Sequence, residues 1–280
     1  MEQFKADDGE YIHLKISGNG TPMVMLHGWT ADHRVWSPFI PDLGTHHQTF
    51  RWDARAHGGH LLATNTVPTV SRMAQDLQNL LDHYRLNDVT LVAHSMGALT
   101  TWQYIRDFGT KRLARVCFID QSPKLVTDDD WKLGIYGDFD AERAQAFHED
   151  LKENFAEGVL DLIAFGLNQR AHDDYLSDTV GTQKRRAWLQ TLKANPLIAC
   201  WDSLTAADFR DVLEKIDIPS LLIYGGESHF YLPETAHYVS QRIQDAQLHV
   251  YEGADHSPQH SDIPRFIADL LAFTQKSTSL

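Results

Sequence analysis

Ala93-His94-Ser95-Met96-Gly97 directly follows the apolar run Val89-Thr90-Leu91-Val92 and opens a helical run over 98–108. A serine with small residues two positions before and after it suits a sharp strand-to-helix turn, where larger side chains would clash with neighbouring backbone. Such a turn lifts the serine Oγ clear of the sheet and aims the first N–H groups of the helix at any oxyanion formed there. Ser95 is therefore the candidate nucleophile, and the Met96 N–H is one candidate oxyanion donor. The motif gains its weight from lying between a strand and a helix, because five residues alone are a weak signal.

A serine hydroxyl needs a base to take its proton. Leu248-His249-Val250-Tyr251 reads as a last strand, and Glu252-Gly253-Ala254-Asp255-His256-Ser257-Pro258 reads as the loop after it. An amphipathic closing helix follows, with Phe266, Ile267, Leu270, Leu271 and Phe273 inward. Its position on that loop separates His256 from the other fifteen of the sixteen histidines. Asp255 is adjacent, but neighbouring side chains in an extended loop diverge. A second oxyanion donor is expected after an early central strand. Met23-Val24-Met25-Leu26 fits that strand, and His27-Gly28-Trp29 follows it, with the Trp29 N–H as the candidate. Two such N–H groups in a dry site are each worth on the order of 3 kcal/mol.

The rest of the chain alternates. Strands are expected at 11–16, 23–26, 48–52, 89–92, 116–119, 220–224 and 248–251. Val70, Met73, Ala74, Leu77, Leu80, Leu81 and Tyr84 recur at helical spacing, which predicts a helix over 68–85. Alternating strands and helices imply a mostly parallel sheet covered on both faces. From 123 to 208 the pattern changes: no strand reads convincingly, and helices are expected near 141–155, 159–166 and 183–194. This stretch reads as a helical cap, dividing the chain into core (1–122), cap (123–208) and core (209–280). Its aromatic residues, Trp131, Tyr136, Phe139, Phe165, Trp188 and Trp201, read first as cap core rather than substrate wall.

These blocks resemble the α/β-hydrolase superfamily over nearly the whole chain: His27-Gly28-Trp29, Asp53-Ala54-Arg55-Ala56-His57-Gly58, Ala93 to Gly97, and Asp255-His256. The likeness is greatest to small bacterial esterases and their perhydrolase or non-haem haloperoxidase relatives. It implies an α/β-hydrolase fold, with the cap between the family's strands six and seven, here 116–119 and 220–224. The second block is similar to the family's Asp-x-Arg-Gly-His-Gly turn, with Ala56 for Gly; that turn is structural, so Asp53, Arg55 and His57 receive no catalytic role. Ala93 replaces the usual first Gly of the serine motif.

The acid departs from the common pattern. Most members carry an Asp shortly after strand seven, but here Ser220-Leu221-Leu222-Ile223-Tyr224 is followed by Gly225-Gly226-Glu227-Ser228, with Ser228 about where that Asp stands. Two carboxylates remain. Asp120 ends strand six, where certain haloalkane dehalogenases carry their acid. A small group of bacterial esterases pairs an Asp there with a Gly-Gly-x-Ser segment. Glu227 is the alternative. Asp120 is preferred as the group that orients His256.

Composition sets the remaining bounds. The 280 residues suit one large α/β domain. A net charge of −13 argues against nucleic acid or an anionic membrane surface as partner. No apolar run approaches the length of a membrane span, and the N-terminal residues carry no apolar signal region. Cys117 and Cys200 suit reduced packing residues and a cytoplasmic protein. His57-Gly58-Gly59-His60 lacks Cys or Glu at ligand spacing, so no metal is expected.

The expectation is a cofactor-free serine hydrolase of a small-molecule ester, thioester or lactone. Hydrogen peroxide in place of water would make it a perhydrolase. A carbon–carbon or enol-lactone hydrolase would use the same residues. A cofactor-free dioxygenase would use a His256–Asp120 pair; His27-Gly28-Trp29 before Asp32-His33-Arg34 resembles those enzymes, whereas Met96 stands where they tend to carry His. A ligand receptor that retains the fold is the non-catalytic alternative. Position 95 lacks the Asp nucleophile of dehalogenases and epoxide hydrolases.

Overall fold

A parallel strand buried on both faces needs apolar residues at successive positions, since its side chains alternate between the two covering layers. In the computed structural model, which describes residues 1–275, the central strands meet that requirement. The strands are β1 (Glu2–Lys5), β2 (Tyr11–Ser17), β3 (Thr21–Leu26), β4 (His47–Asp53), β5 (Val89–His94), β6 (Leu113–Ile119), β7 (Ser220–Gly225) and β8 (Ala246–Tyr251). They form one sheet in the order β1-β2-β4-β3-β5-β6-β7-β8. β2 pairs antiparallel with β1 and β4; all other pairs are parallel.

Alternation divides the core in two. Leu91, Ala93, Phe118 and Leu222 share one face with Met73, Leu77 and Leu80 of helix Val70–His83 and with Leu99 and Trp102 of helix Met96–Phe108. Val92, Cys117, Ile119, Leu221 and Ile223 share the other with Phe266, Leu270 and Phe273 of helix Ile263–Gln275. Both cysteines are free and buried. Among the described residues no helix is long and apolar enough to cross a membrane.

The expected strands are present, each extended at one or both ends, and β1 is an addition. Its segment Glu-Gln-Phe-Lys offers one apolar residue, Phe4, which pairs opposite Ile12. Between β6 and β7 run five helices: Ala141–Glu153, Phe155–Ala164, Gln169–Leu176, Val180–Gln190 and Ala194–Thr205. Side chains of Asp140, Asn154, Asn168 and Thr179 accept backbone N–H bonds at the starts of the first four, which sets their boundaries. Two of the five, Gln169–Leu176 and Ala194–Thr205, extend what the sequence pattern suggests. The former has no buried residue and so no apolar stripe to read.

Candidate active site

Ser95 sits between the last residue of β5 and helix Met96–Phe108 with φ 53° and ψ −118°, a conformation that L-residues rarely adopt. The sheet holds it there: the Ser95 N–H donates to the Ile119 carbonyl at 3.1 Å. Close packing explains the small flanking residues. A Cβ on Gly97 would lie 2.5 Å from the Leu26 carbonyl oxygen, and Ala93 is fully buried.

Asp120 directly follows β6, at φ 45°. Its N–H continues the parallel ladder to the Ile223 carbonyl at 2.9 Å. The carboxylate is fully buried and accepts three bonds. Oδ1 takes the Gly225 N–H at 3.0 Å. Oδ2 takes the Ser228 hydroxyl at 2.7 Å and the His256 Nδ1–H at 2.6 Å. Ser228 Oγ in turn lies 3.2 and 3.3 Å from the N–H groups of Phe230 and Tyr231, which donate to it. The residue on strand seven where an acid is common thus serves as a hydroxyl donor to the acid on strand six.

Glu227 is elsewhere. Its side chain is 55% exposed and faces Arg170 at 3.6 Å, while its backbone bonds Ala254 and Asn168. Asp255 turns its Oδ1 to the Ser257 N–H at 2.7 Å.

Other groups position His256. The His94 Nε2–H donates to the His256 carbonyl at 2.8 Å. Full burial and the neighbouring His256 hold His94 well below the usual histidine pKa, so it stays neutral. The Phe230 ring meets the His256 imidazole edge-on at 4.5 Å. A Cβ on Gly225 would lie 2.0 Å from the Asp255 carbonyl oxygen, so only glycine lets the end of β7 meet the His256 loop.

The loop after β3 is braced by His27. The His27 Nδ1–H donates to the Gly28 carbonyl at 2.8 Å and Nε2 accepts from the Ala54 N–H at 3.0 Å. Burial pushes its pKa down, which keeps that tautomer neutral. Trp29 is drawn toward the helices above: its indole N–H donates to the Leu197 carbonyl at 3.0 Å and its ring lies 4.7 Å from Trp201. Trp188 answers from the other side, donating its indole N–H to the Thr30 carbonyl at 2.9 Å.

Ser95, Met96, Trp29 and His256 all line one cavity of about 540 Å³. Helices from the β6–β7 segment supply Val159, Leu162, Trp188 and Trp201 to its wall. Of the aromatic residues in that segment, Trp131 and Phe139 are buried packing and Phe165 is 51% exposed.

The structural reading of the Asp53 block has a physical basis. The buried Arg55 guanidinium spans Asp76 (2.7 and 2.9 Å) and Asp8 (2.9 and 3.1 Å). Asp53 accepts from His33 and His60, each at 2.8 Å. Asp32, His33 and Asp53 come within ligand distance of one another. Their atoms are engaged, however: Asp32 by a two-pronged contact from Arg34, Asp53 by the two histidines. Ala56, in the place of a family glycine, has φ 67°.

His94 and Trp188 carry no distinguishing pattern in the sequence, whereas His27 and Ser228 lie within the His-Gly-Trp and Gly-Gly-x-Ser segments quoted above. Each acquires its role from a partner distant in the chain.

The alpha/beta hydrolase family model matches residues 23–270. The non-heme chloroperoxidase CPO-A1 of Kitasatospora aureofaciens is 31% identical, covering 96% of this chain and 98% of its own. The 3-oxoadipate enol-lactonase 1 of Acinetobacter baylyi is 25% identical, covering 95% and 94%. Esterase EaEST from Exiguobacterium antarcticum shares the fold with a TM-score of 0.83 at 22% identity, covering 98% of this chain and 99% of its own. The chain is an enzyme that belongs to the alpha/beta hydrolase family.

Proposed function

We propose that the protein is a serine hydrolase of a small-molecule carboxylic ester, thioester or lactone, acting through an acyl-enzyme on Ser95. The observation that carries this reading is the strained Ser95 turn in the same cavity as His256, whose Nδ1–H is held by Asp120 at 2.6 Å. With Nδ1 committed to Asp120, Nε2 is the free basic nitrogen. It takes the Ser95 proton as Oγ attacks the carbonyl carbon. The oxyanion is held by the Trp29 and Met96 N–H groups. His256 then gives the proton to the departing alkoxide, which leaves as alcohol. Water repeats the sequence: His256 takes its proton, hydroxide attacks the acyl carbon, and Ser95 Oγ leaves with the proton. Asp120 balances the imidazolium formed in each half. The helical segment 123–208 serves as a cap that excludes water and shapes the pocket. The partner implied is a small molecule, with no role for nucleic acid or membrane.

A second acceptor has one observation in its favour, the 31% identity to a non-heme chloroperoxidase. Hydrogen peroxide attacking the same acyl-enzyme would release a peracid and restore Ser95.

The test is Ser95→Ala, assayed with p-nitrophenyl esters of graded acyl length and with a fluorophosphonate probe. Turnover is expected to fall by about 10⁶, with labelling abolished. Retention of more than a few per cent of activity would contradict the serine mechanism. A dioxygenase run by the His256–Asp120 pair would instead show oxygen uptake with a quinolone that survives Ser95→Ala.

A further inference from the structure

Two arginines stand side by side on helix Val180–Gln190 and meet different fates. Arg186 is saturated: it pairs with Glu157 and Asp178, each at 2.5 Å. Arg185 is exposed and is one of the residues lining the cavity that holds Ser95. Among the described residues no carboxylate forms an ion pair with it. The cavity's other arginine, Arg34, is neutralised by Asp32 at 2.6 Å.

Arg185 also lines a second cavity of about 290 Å³ between the helices of the 123–208 segment. Ile163, His229 and Asp255 line both cavities too, so these four residues form the boundary where one opens on the other. The position of Arg185 is set. Trp188, three residues on and on the same helix face, is bonded to Thr30 beside the candidate oxyanion loop.

The groups that face Arg185 leave it available. Asp255 acts on it through space without forming an ion pair with it, its Oδ1 accepting the Ser257 N–H. His229 and His260, which share the first cavity, are both pushed down by burial and are neutral at neutral pH. On the second cavity, Arg170 faces Glu227, and Asp174 is the other acid in the wall. Crowding by protein pushes the Arg185 guanidinium down and Asp255 pushes it back up; an arginine remains a cation throughout. A guanidinium lining a cavity with no ion-pair partner among the described residues matches a planar carboxylate, which it can hold by two parallel hydrogen bonds.

We propose that Arg185 is a specificity-determining residue that receives a second, free carboxylate on the substrate. The substrate class is then a monoester of a dicarboxylic acid, or a lactone bearing a carboxylate. The inference rests on the serine-hydrolase reading: the ester lies at Ser95 while the remote carboxylate reaches the boundary between the two cavities. Apolar walls such as Val159 and Leu162 cover the carbon chain between them.

The experiment compares monoethyl esters of succinic, glutaric and adipic acids with neutral ethyl esters of the same acyl length. The readout is the ratio of their kcat/KM values. The wild-type enzyme should prefer the monoester at one or more chain lengths. Arg185→Gln should lower that ratio about ten- to hundredfold, chiefly through KM, because the contact is made equally in ground and transition states. Arg185→Lys should keep part of the preference, since it retains the charge and loses the fork. Asp255→Asn should raise the ratio by removing the carboxylate that opposes the ligand. Added salt should lower the wild-type ratio, a check that needs no variant. An unchanged ratio in Arg185→Gln, or a wild-type preference for neutral esters, overturns the inference while leaving the serine mechanism standing. Failure to cleave either ester series, with Ser95 unlabelled by fluorophosphonate, removes the mechanism and the inference together.

Discussion

The sheet edge and the helical segment above it face the same cavity but are built on different terms. At the edge, backbone geometry decides. Ser95 and Asp120 both have positive φ, and both are held by N–H bonds that extend the ladder of the neighbouring strand. Gly97 and Gly225 are packed against carbonyl oxygens with no room for a Cβ. The helical segment is attached to the edge through side chains, notably the indole N–H bonds of Trp29 and Trp188. Ser95 and Asp120 are thus fixed by backbone, whereas the cavity wall supplied by the helical segment is attached through side chains.

The largest effect that distinguishes the two regions should come from glycine. Gly225→Ala places a methyl group on the Asp255 and Ala254 carbonyls and should cost about 3 kcal/mol or more in urea unfolding. Near-normal stability would show that the edge yields more than its geometry implies. Acid should act next, through the sheet side. Burial pushes His57 down to about 3. Its unfolded form takes a proton near pH 6.5, so its contribution is full above that value. It declines as pH falls toward 3, by about 1.4 kcal/mol per pH unit. Unfolding free energy should therefore be about 2 kcal/mol lower at pH 5 than at pH 7 from this residue alone. Equal stability at the two values, or a substitution of His57 by Gln that leaves the slope intact, would contradict this.

Smaller effects belong to the helical segment. Trp188→Phe keeps a smaller aromatic ring and loses the bond to Thr30, a cost of about 1 kcal/mol from the bond. KM for p-nitrophenyl butyrate should rise while Ser95 remains labelled by fluorophosphonate; a loss of labelling would mean that the helix supports the nucleophile directly. Gly181→Ala should be the mildest. Its Cβ would meet only Thr179 Oγ1 at 3.7 Å, and alanine favours the helix by about 0.5–1 kcal/mol. A destabilised Gly181→Ala would blur the contrast with Gly225.

The same contrast governs what could be read from the chain. The central strands and the Ser95 turn are legible because burial on both faces and tight turns impose local residue choices. The lack of an Asp after β7 is legible too, and it directs attention to Asp120. The bond from Ser228 to Asp120, and that from His94 to the His256 carbonyl, join segments 108 and 162 positions apart. The first is foreshadowed only by the resemblance of Gly225-Gly226-Glu227-Ser228 to one group of esterases, and the second leaves no local pattern. In the helical segment, Trp131 and Trp188 look alike in sequence; only packing shows that one fills the interior while the other lines the cavity. Arg185 and Arg186 are equally indistinguishable until the helix face is known.

The placement of the acid is the claim on which the catalytic account turns, and paired substitutions test it most directly. Turnover of the same p-nitrophenyl ester should be measured for Asp120→Asn and Glu227→Gln under one set of conditions, with folding verified by circular dichroism. Asp120→Asn should lower kcat by about 10⁴, because an amide can stabilise the wrong histidine tautomer and brings no charge to the imidazolium. Glu227→Gln, on an exposed side chain turned to Arg170, should stay within about twofold of wild type. The reverse ranking would place the acid on β7 and leave Asp120 as a structural anchor.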